Sequence, residues 1–430
     1  MAADGLEPLL AKPTPGTSQL ALCMNLITAT LGCGILSLPW ATAGASLVPA
    51  AVITLLVLMV NAGTNMILVF AAEAHGTFDL GGLLGCLPRG GKVLQAVCEA
   101  TIWLTVFMCL VGYLIVVADS CQLLLPGMPR TSRVAVSAMI VFPLCFMDQS
   151  RLAFSSSLSI AANVYVCLLL VALYLSGWRK PAMSFAEHEC CLLGFGKGDV
   201  TMISALMQAA VVQMCILPMY EQMEQRSPRK FAICLGYSFS FVALLFVTFS
   251  CVAYFVLGPK VSSNVLLDLP PGPFGDLARV AMAVAVVGVY PILLSSMVAP
   301  IKHREDHEAS HRHCKMGSAS QRATVGIVAG SAVVASLTSN LGQVNVISGA
   351  SQVAVFVAAA PGLTGLFLLK GGATWRACML MMMAAGVMVS IAGVAYTDNF
   401  VGELQARQRA HGTFVDTFLD SRRLHAQCRG

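Results

Sequence analysis

Residues 25–40 read Asn25-Leu-Ile-Thr28-Ala-Thr30-Leu-Gly32-Cys33-Gly34-Ile-Leu-Ser37-Leu-Pro39-Trp40, an apolar stretch carrying two glycines and a proline. Gly-x-Gly weakens a helix, and Pro39 removes a backbone donor further on. The surroundings decide what such a stretch is for. Of 430 residues, 57% are hydrophobic and 11% charged, with mean hydropathy +0.78. Soluble domains carry about 25% charged residues. A chain so poor in charge cannot cover itself with polar surface, so its outer face meets lipid. Broken backbone at membrane depth is tolerated only where protein buries it or it lines a watery cavity.

Apolar runs of about 20 residues mark spanning helices. They occur near 20–44, 47–71, 93–118, 134–147, 156–177, 200–223, 231–257, 274–301, 324–340, 344–369 and 375–396, eleven in all, the fourth and ninth short. Residues 1–18 are polar and proline-rich, without the basic start and apolar core of a cleaved leader. Basic clusters at Arg89/Lys92, at Arg226/Arg229/Lys230 and between Lys302 and Arg322 set those connections and the N-terminus inside. An odd span count then places the tail from Asp398 outside or in a lumen.

The sixth run also carries helix-breaking chemistry, Gln213-Met-Cys215-Ile-Leu-Pro218-Met-Tyr220-Glu221. Breaks at corresponding places in two halves point to a transporter site, and the first and sixth spans fit a five-plus-five inverted repeat. Amides freed from Gly32 to Ile35 at the start of a half-helix would hold a carboxylate at the positive dipole end. Gly-x-Gly also serves close helix packing; the matched second break favours a site.

The order and spacing of several motifs resemble the amino acid/auxin permease family. The stretch from Gly32 to Ala41 is similar to that family's first-helix signature. Gly112-Tyr113-Leu-Ile-Val-Val-Ala-Asp119 is similar to its third helix, and Phe142-Pro-Leu-Cys-Phe with Leu152-Ala-Phe-Ser-Ser to its fourth-to-fifth passage. Leu217-Pro-Met-Tyr-Glu221, running on to Arg226-Ser-Pro-Arg-Lys230, resembles the end of its sixth helix. Gly349-Ala-Ser followed by Pro361-Gly-Leu matches its tenth. The resemblance implies an all-α integral membrane protein of LeuT-type fold, with about eleven helices, a 5+5 inverted repeat and one extra helix. It implies a cytoplasmic tail at 1–18 and a transporter domain at 19–397. Within that domain the first repeat is about 19–177, the second about 200–370 and the eleventh helix about 375–396, followed by a polar tail at 398–430.

The implied activity is secondary amino acid transport driven by protons or sodium. The implied substrate residues are Thr28, Thr30, Gly32, Cys33, Gly34, Gln213 and Cys215. Thr28, together with the lack of hydroxyls before Pro291 other than Tyr290, resembles the proton-coupled members, since sodium requires oxygen ligands. Tyr113 would hydrogen-bond a substrate carboxylate or satisfy its hydroxyl between helices. Acids in or beside spans are functional candidates, which singles out Glu99, Asp119 and Glu221 for coupling, with Glu224 close by. Charge snorkelling to the interface is their alternative role.

Other features carry less. Most of the 16 cysteines lie in apolar runs and read as small core residues. Cys190 or Cys191 would form a disulfide if its loop is extracytoplasmic, with Cys121 one option. No Asn-x-Ser/Thr acceptor is present. The His-rich run from Lys302 to Cys314 fits no zinc spacing and reads as a solvated inner loop that anionic headgroups attract. The run Met379 to Met383 reads as lipid-facing or packed core. No metal, cofactor or nucleic acid is expected; the expected partners are an amino acid, a co-transported proton or sodium, and membrane lipid. Neither a clustered nucleophile and base for an enzyme nor a ring of charges for a channel is visible. A non-transporting amino acid sensor of the same fold remains the rival reading. The membrane is the plasma membrane or a vacuolar or lysosomal one.

Overall fold

A computed structural model describes residues 17–88, 90–124, 127–147, 154–178, 192–309, 319–338 and 340–396. Helices account for nearly all of it, as a chain in lipid must satisfy its backbone internally. The first apolar segment forms α1 (Gln19–Thr30), a 3₁₀ turn (Cys33–Ser37) and α2 (Leu38–Ala45). Then follow α3 (Leu47–His75), α4 (Leu80–Gly85), α5 (Gly91–Leu124), α6 (Arg130–Leu144) and α7 (Phe154–Leu175). The second half comprises α8 (Lys197–Ala210), α9 (Gln213–Glu221), α10 (Pro228–Leu257), α11 (Pro273–Ala309) and α12 (Ala319–Leu337). It closes with α13 (Leu341–Gln352), a π-helical stretch (Val353–Ala359), α14 (Ala360–Phe367) and α15 (Ala373–Tyr396).

All eleven apolar segments coincide with helices, but not all are long and apolar enough to cross a membrane. Among the described residues eight helices are, or nine if the bent pair at Gln19–Thr30 and Gly34–Ala45 counts as one span. The shortfall lies where the apolar runs are short. At 15 residues α6 reaches only about 22 Å against a hydrocarbon core of about 30 Å. The start of α12, Ala-Ser-Gln-Arg, dilutes its hydropathy.

Three other differences have local causes. The sixth segment is interrupted at Val211–Val212 and not at Pro218, which lies inside α9. The helix α11 continues to Ala309, so the stretch read as a loop from Lys302 is helical over its first part; residues 310–318 lie outside the described residues, as do Cys190, Cys191 and both tails. A short helix, α4, fills the connection after α3, with Asp79 capping it by accepting from the Gly82 amide at 2.6 Å.

The interior is built around α8 and α13. A Cβ at Gly349 would lie 1.8 Å from the Ser204 carbonyl oxygen, so only glycine lets α13 come this close to α8. The helix α15 lies at the edge: Met381 is 64% exposed while Met379 packs on Gly365 and Met383 on Gly362. The methionine run thus meets both lipid and core. Exposed Leu55, Met59, Leu244 and Phe274 complete an apolar outer surface.

Gly349→Val should lower stability by about 2 kcal/mol, the usual scale for overpacking. Thermal unfolding of the detergent-purified protein measures this; an unchanged midpoint would contradict the α8–α13 contact.

Candidate functional site

The two interruptions face each other. A Cβ on Gly34 would stand 3.1 Å from Cα and Cβ of Ala209, in the last turn of α8 before its interruption. Gly34 is therefore a close-packing glycine. Gly32 differs. Its backbone is ordinary (φ −91°), and an added Cβ would meet only the Tyr113 hydroxyl, at 3.6 Å. Among buried neighbours Leu31, Ile35 and Tyr113, Gly32 itself keeps partial exposure. The Tyr113 hydroxyl of α5 thus stands at van der Waals distance from the place a Gly32 side chain would begin.

The two sides of that interruption are treated differently. Several carbonyls at the end of α1 accept from protein groups: Ile27 and Thr28 accept from the Leu31 amide at 3.0 and 3.2 Å. The Thr30 hydroxyl also donates to Ile27 at 2.8 Å, and Ser159 of α7 donates to Leu31 at 3.2 Å. On the other side no side chain caps the turn that begins at Cys33. The first amides of a helix lack intrahelical partners, and they carry the positive end of its dipole. The far end of the turn is fixed by Ser37, which donates to the Gly34 carbonyl at 2.9 Å and accepts from Asn345 of α13 at 2.7 Å.

The second interruption is held by Gln213, 0% exposed. Its Oε1 accepts from the Val212 amide at 3.1 Å, and its Nε2 donates to Asn61 Oδ1 at 2.8 Å and Thr64 Oγ1 at 2.9 Å on α3. Every hydrogen of the carboxamide is committed, so Gln213 acts as a strut between α9 and α3. Cys215 turns back on the Val212 carbonyl at 3.2 Å.

Residues 15–397 match the family described as transmembrane amino acid transporter protein. The chain belongs to that family. It is 26% identical to human solute carrier family 38 member 8 over 314 residues, 67% of this chain and 71% of that protein. It is 24% identical to the Xenopus laevis sodium-coupled neutral amino acid transporter 7 over 314 residues, 67% of each chain. In fold it is similar to the inward-facing conformation of Mhp1, with TM-score 0.57 and 11% identity over 95% of this chain and 96% of that one. The fold is thus of the LeuT type, in a multi-pass membrane transporter.

Within this family member the expected residues separate. Gly32, Gly34 and Tyr113 come together at the first interruption, and the Cys33 backbone lies in the same turn. The Thr28 hydroxyl donates to its own helix, to Met24 at 2.8 Å. Glu99 is exposed and accepts from Gln95 at 2.9 Å near α4; Glu221 and Glu224 are exposed at the end of α9 and just beyond. Asp119 is buried, paired with Arg130 at 3.3 Å and accepting from Asn264 at 3.0 Å. Arg130 also donates to the carbonyls of Ala335 and Thr338, tying α5 and α6 to the end of α12.

Sequence reasoning missed Asn61, Thr64, Ser159 and Asn345, polar residues within the membrane helices α3, α7 and α13; their burial there is the signal that marks them. It also missed Glu73, which accepts from the Tyr220 hydroxyl at 2.8 Å and pairs with Arg226 at 3.3 Å, while Arg226 stacks over Phe78 at 4.0 Å.

Gln213→Leu strands Asn61 and the Val212 amide in the interior, at a cost of about 2 kcal/mol. A fall in the thermal midpoint of the purified protein is expected. No fall would remove Gln213 from this role.

Proposed function

We propose that the protein is a proton-coupled amino acid symporter working by alternating access around the interruptions in its first and sixth segments. The carrying observation is the partly exposed Gly32, with uncapped helix-start amides on one side and the Tyr113 hydroxyl on the other. Amides at a positive dipole end suit the carboxylate that every amino acid shares, and Tyr113 supplies a further polar contact. Thr28, Thr30, Gln213 and Cys215 then shape the backbone around the substrate without touching it, because each spends its polar atoms on nearby protein groups.

The driving ion follows from the other side of the break. Sodium needs several oxygen ligands. The Leu31 carbonyl, released by the interruption, already accepts from Ser159, and Tyr290 of α11 shares its hydroxyl with Ser331 at 2.8 Å. Protons require no such cage. The second reading, sodium coupling, is favoured by the name of the Xenopus relative.

Alternating access needs closures that form and break in turn. With the N-terminus inside, Glu73, Tyr220 and Arg226 join the inner ends of α3 and α9. The backbone of Thr17 pairs with Gln222 and Glu224 beside them, at 2.8 and 3.0 Å. On the outer side Asp119, Arg130 and Asn264 join α5 and α6 to the connection before α11. Asp119 is in this reading an outer clasp, with coupling left to groups that change partners during the cycle.

Uptake of labelled amino acids into proteoliposomes tests the proposal. Accumulation driven by an imposed pH gradient without sodium is expected; accumulation that requires sodium would overturn proton coupling. Binding without uptake under any gradient would identify a sensor. Gly32→Val, which fills the space before Tyr113, should abolish uptake while leaving the protein membrane-inserted, and full uptake in this variant would refute the site.

A further inference from the structure

The segment joining α9 to α10 carries a serine that does not cap the helix it begins. Ser227 stands at the start of the 30-residue α10 in extended backbone (φ −156°, ψ 133°) and makes no capping bond. Serine at this position ordinarily accepts from an amide of the first turn. That turn holds no acid; behind Pro228 it carries Arg229 and Lys230. Ser227 is half-buried, while Gln225, Arg226 and Arg229 around it are exposed.

The same segment holds the inner joint between α3 and α9. Arg226 pairs with Glu73 at 3.3 Å and lies over the rings of Phe78 at 4.0 Å and Tyr220 at 5.7 Å. Lys230 reaches back past the serine to donate to Gln225 Oε1 at 2.8 Å. Gln225 has φ +48°, a left-handed backbone uncommon outside glycine. The turn through Gln225 therefore depends on its neighbours for its shape, and the bond from Lys230 bears on where Arg226 stands. Ser227 lies between the two.

We propose that Ser227 is a phosphorylation site, modified by a proline-directed kinase, and that its phosphate weakens the inner joint. The sequence Arg226-Ser227-Pro228-Arg229-Lys230 presents the hydroxyl before a proline and ahead of two cations, the pattern such kinases read. In the orientation set by the basic clusters this segment faces the cytoplasm, where ATP is present. Ser227 Oγ attacks the γ-phosphorus of ATP, ADP leaves with the bridging oxygen, and the hydroxyl proton passes to the base of the kinase. The product adds a charge of about −2 and three acceptor oxygens. Lys230, within one helical turn, transfers from Gln225 to the phosphate, since charge-assisted bonds are the stronger ones. The turn through Gln225 then loosens, and Arg226 loses its set place against Glu73. The effect on transport rests on the alternating-access reading above; the modification itself does not.

The purified full chain is treated in detergent with ATP and a proline-directed kinase, its modified positions are read by peptide mass spectrometry, and it is reconstituted for amino acid uptake. Phosphate is expected on Ser227 of wild type, absent from that position in Ser227→Ala and strongly reduced in Pro228→Ala. Uptake by the phosphorylated wild type should fall about threefold, the scale on which exposed ion pairs act, and phosphatase should restore it. Ser227→Ala should transport as unmodified wild type does and not respond to the kinase. Glu73→Gln, whose joint is already weakened, should take the phosphate with little further change in uptake. Absence of phosphate from Ser227 overturns the proposal; a peptide spanning residues 221–233 that accepts it then shows that the folded joint shields the serine. Phosphate on Ser227 with uptake unchanged, or an equal fall in Ser227→Ala, overturns it as well. Failure of the unmodified protein to transport any amino acid would overturn the transport reading, whereas phosphate on Ser227 is read independently of it.

Discussion

The arrangement depends on how the chain satisfies backbone groups released where a helix stops inside a membrane. Each such group costs free energy comparable to a lost hydrogen bond, and lipid offers no replacement. At the first interruption the carbonyls of Ile27, Thr28 and Leu31 accept from protein groups, and no side chain caps the turn that follows. Thr30, the Leu31 amide and Ser159 use the carbonyls of α1, while the amides that open the next turn face Gly32 without a side-chain cap. Ser159 of α7 takes part in this pairing from across the fold. Its hydroxyl pairs the Leu31 carbonyl, which the break releases.

The second interruption follows the same physics with a different device. No glycine or proline lies at Val211–Val212. The Gln213 side chain accepts from the Val212 amide, replacing an in-helix carbonyl, and anchors itself on Asn61 and Thr64. A buried polar group of this kind costs little only when every donor is paired. The strut therefore fixes the position of α9 relative to α3. The same two helices meet again at their far ends through Glu73, Tyr220 and Arg226, so any movement of α9 must strain the strut or break that cluster.

These differences explain what the sequence could and could not disclose. Membrane character and the helices came from apolar run length, because hydropathy is local and additive. The first interruption was readable because glycine and proline act on the backbone where they stand. The second was misplaced onto Pro218, since a proline six residues into a nine-residue helix removes one donor and breaks nothing, while the operative group is a side chain bonded across about 150 residues. Tyr113 was found by its place in the third helix. Ser159 and Glu73 were not, because their partners, Leu31 and Arg226, lie far away in sequence. The eleven apolar segments are all helices, but α6 is too short and the start of α12 too polar to count as spans by hydropathy alone.

The glycines of the Gly-x-Gly motif illustrate why motif and mechanism separate. A side chain at Gly34 would press on Ala209, whereas one at Gly32 would begin at ordinary contact distance from the Tyr113 hydroxyl. One glycine lets the two interrupted segments touch, and the other lets Tyr113 of α5 approach the break. Losing the first would push α8 away, whereas a bulky residue at the second would press on Tyr113 with the segments still in contact. In the proposed reading a substrate beside Gly32 meets backbone amides first, so its recognition begins with the carboxylate common to all amino acids, and selection among them falls to the side chains around that break.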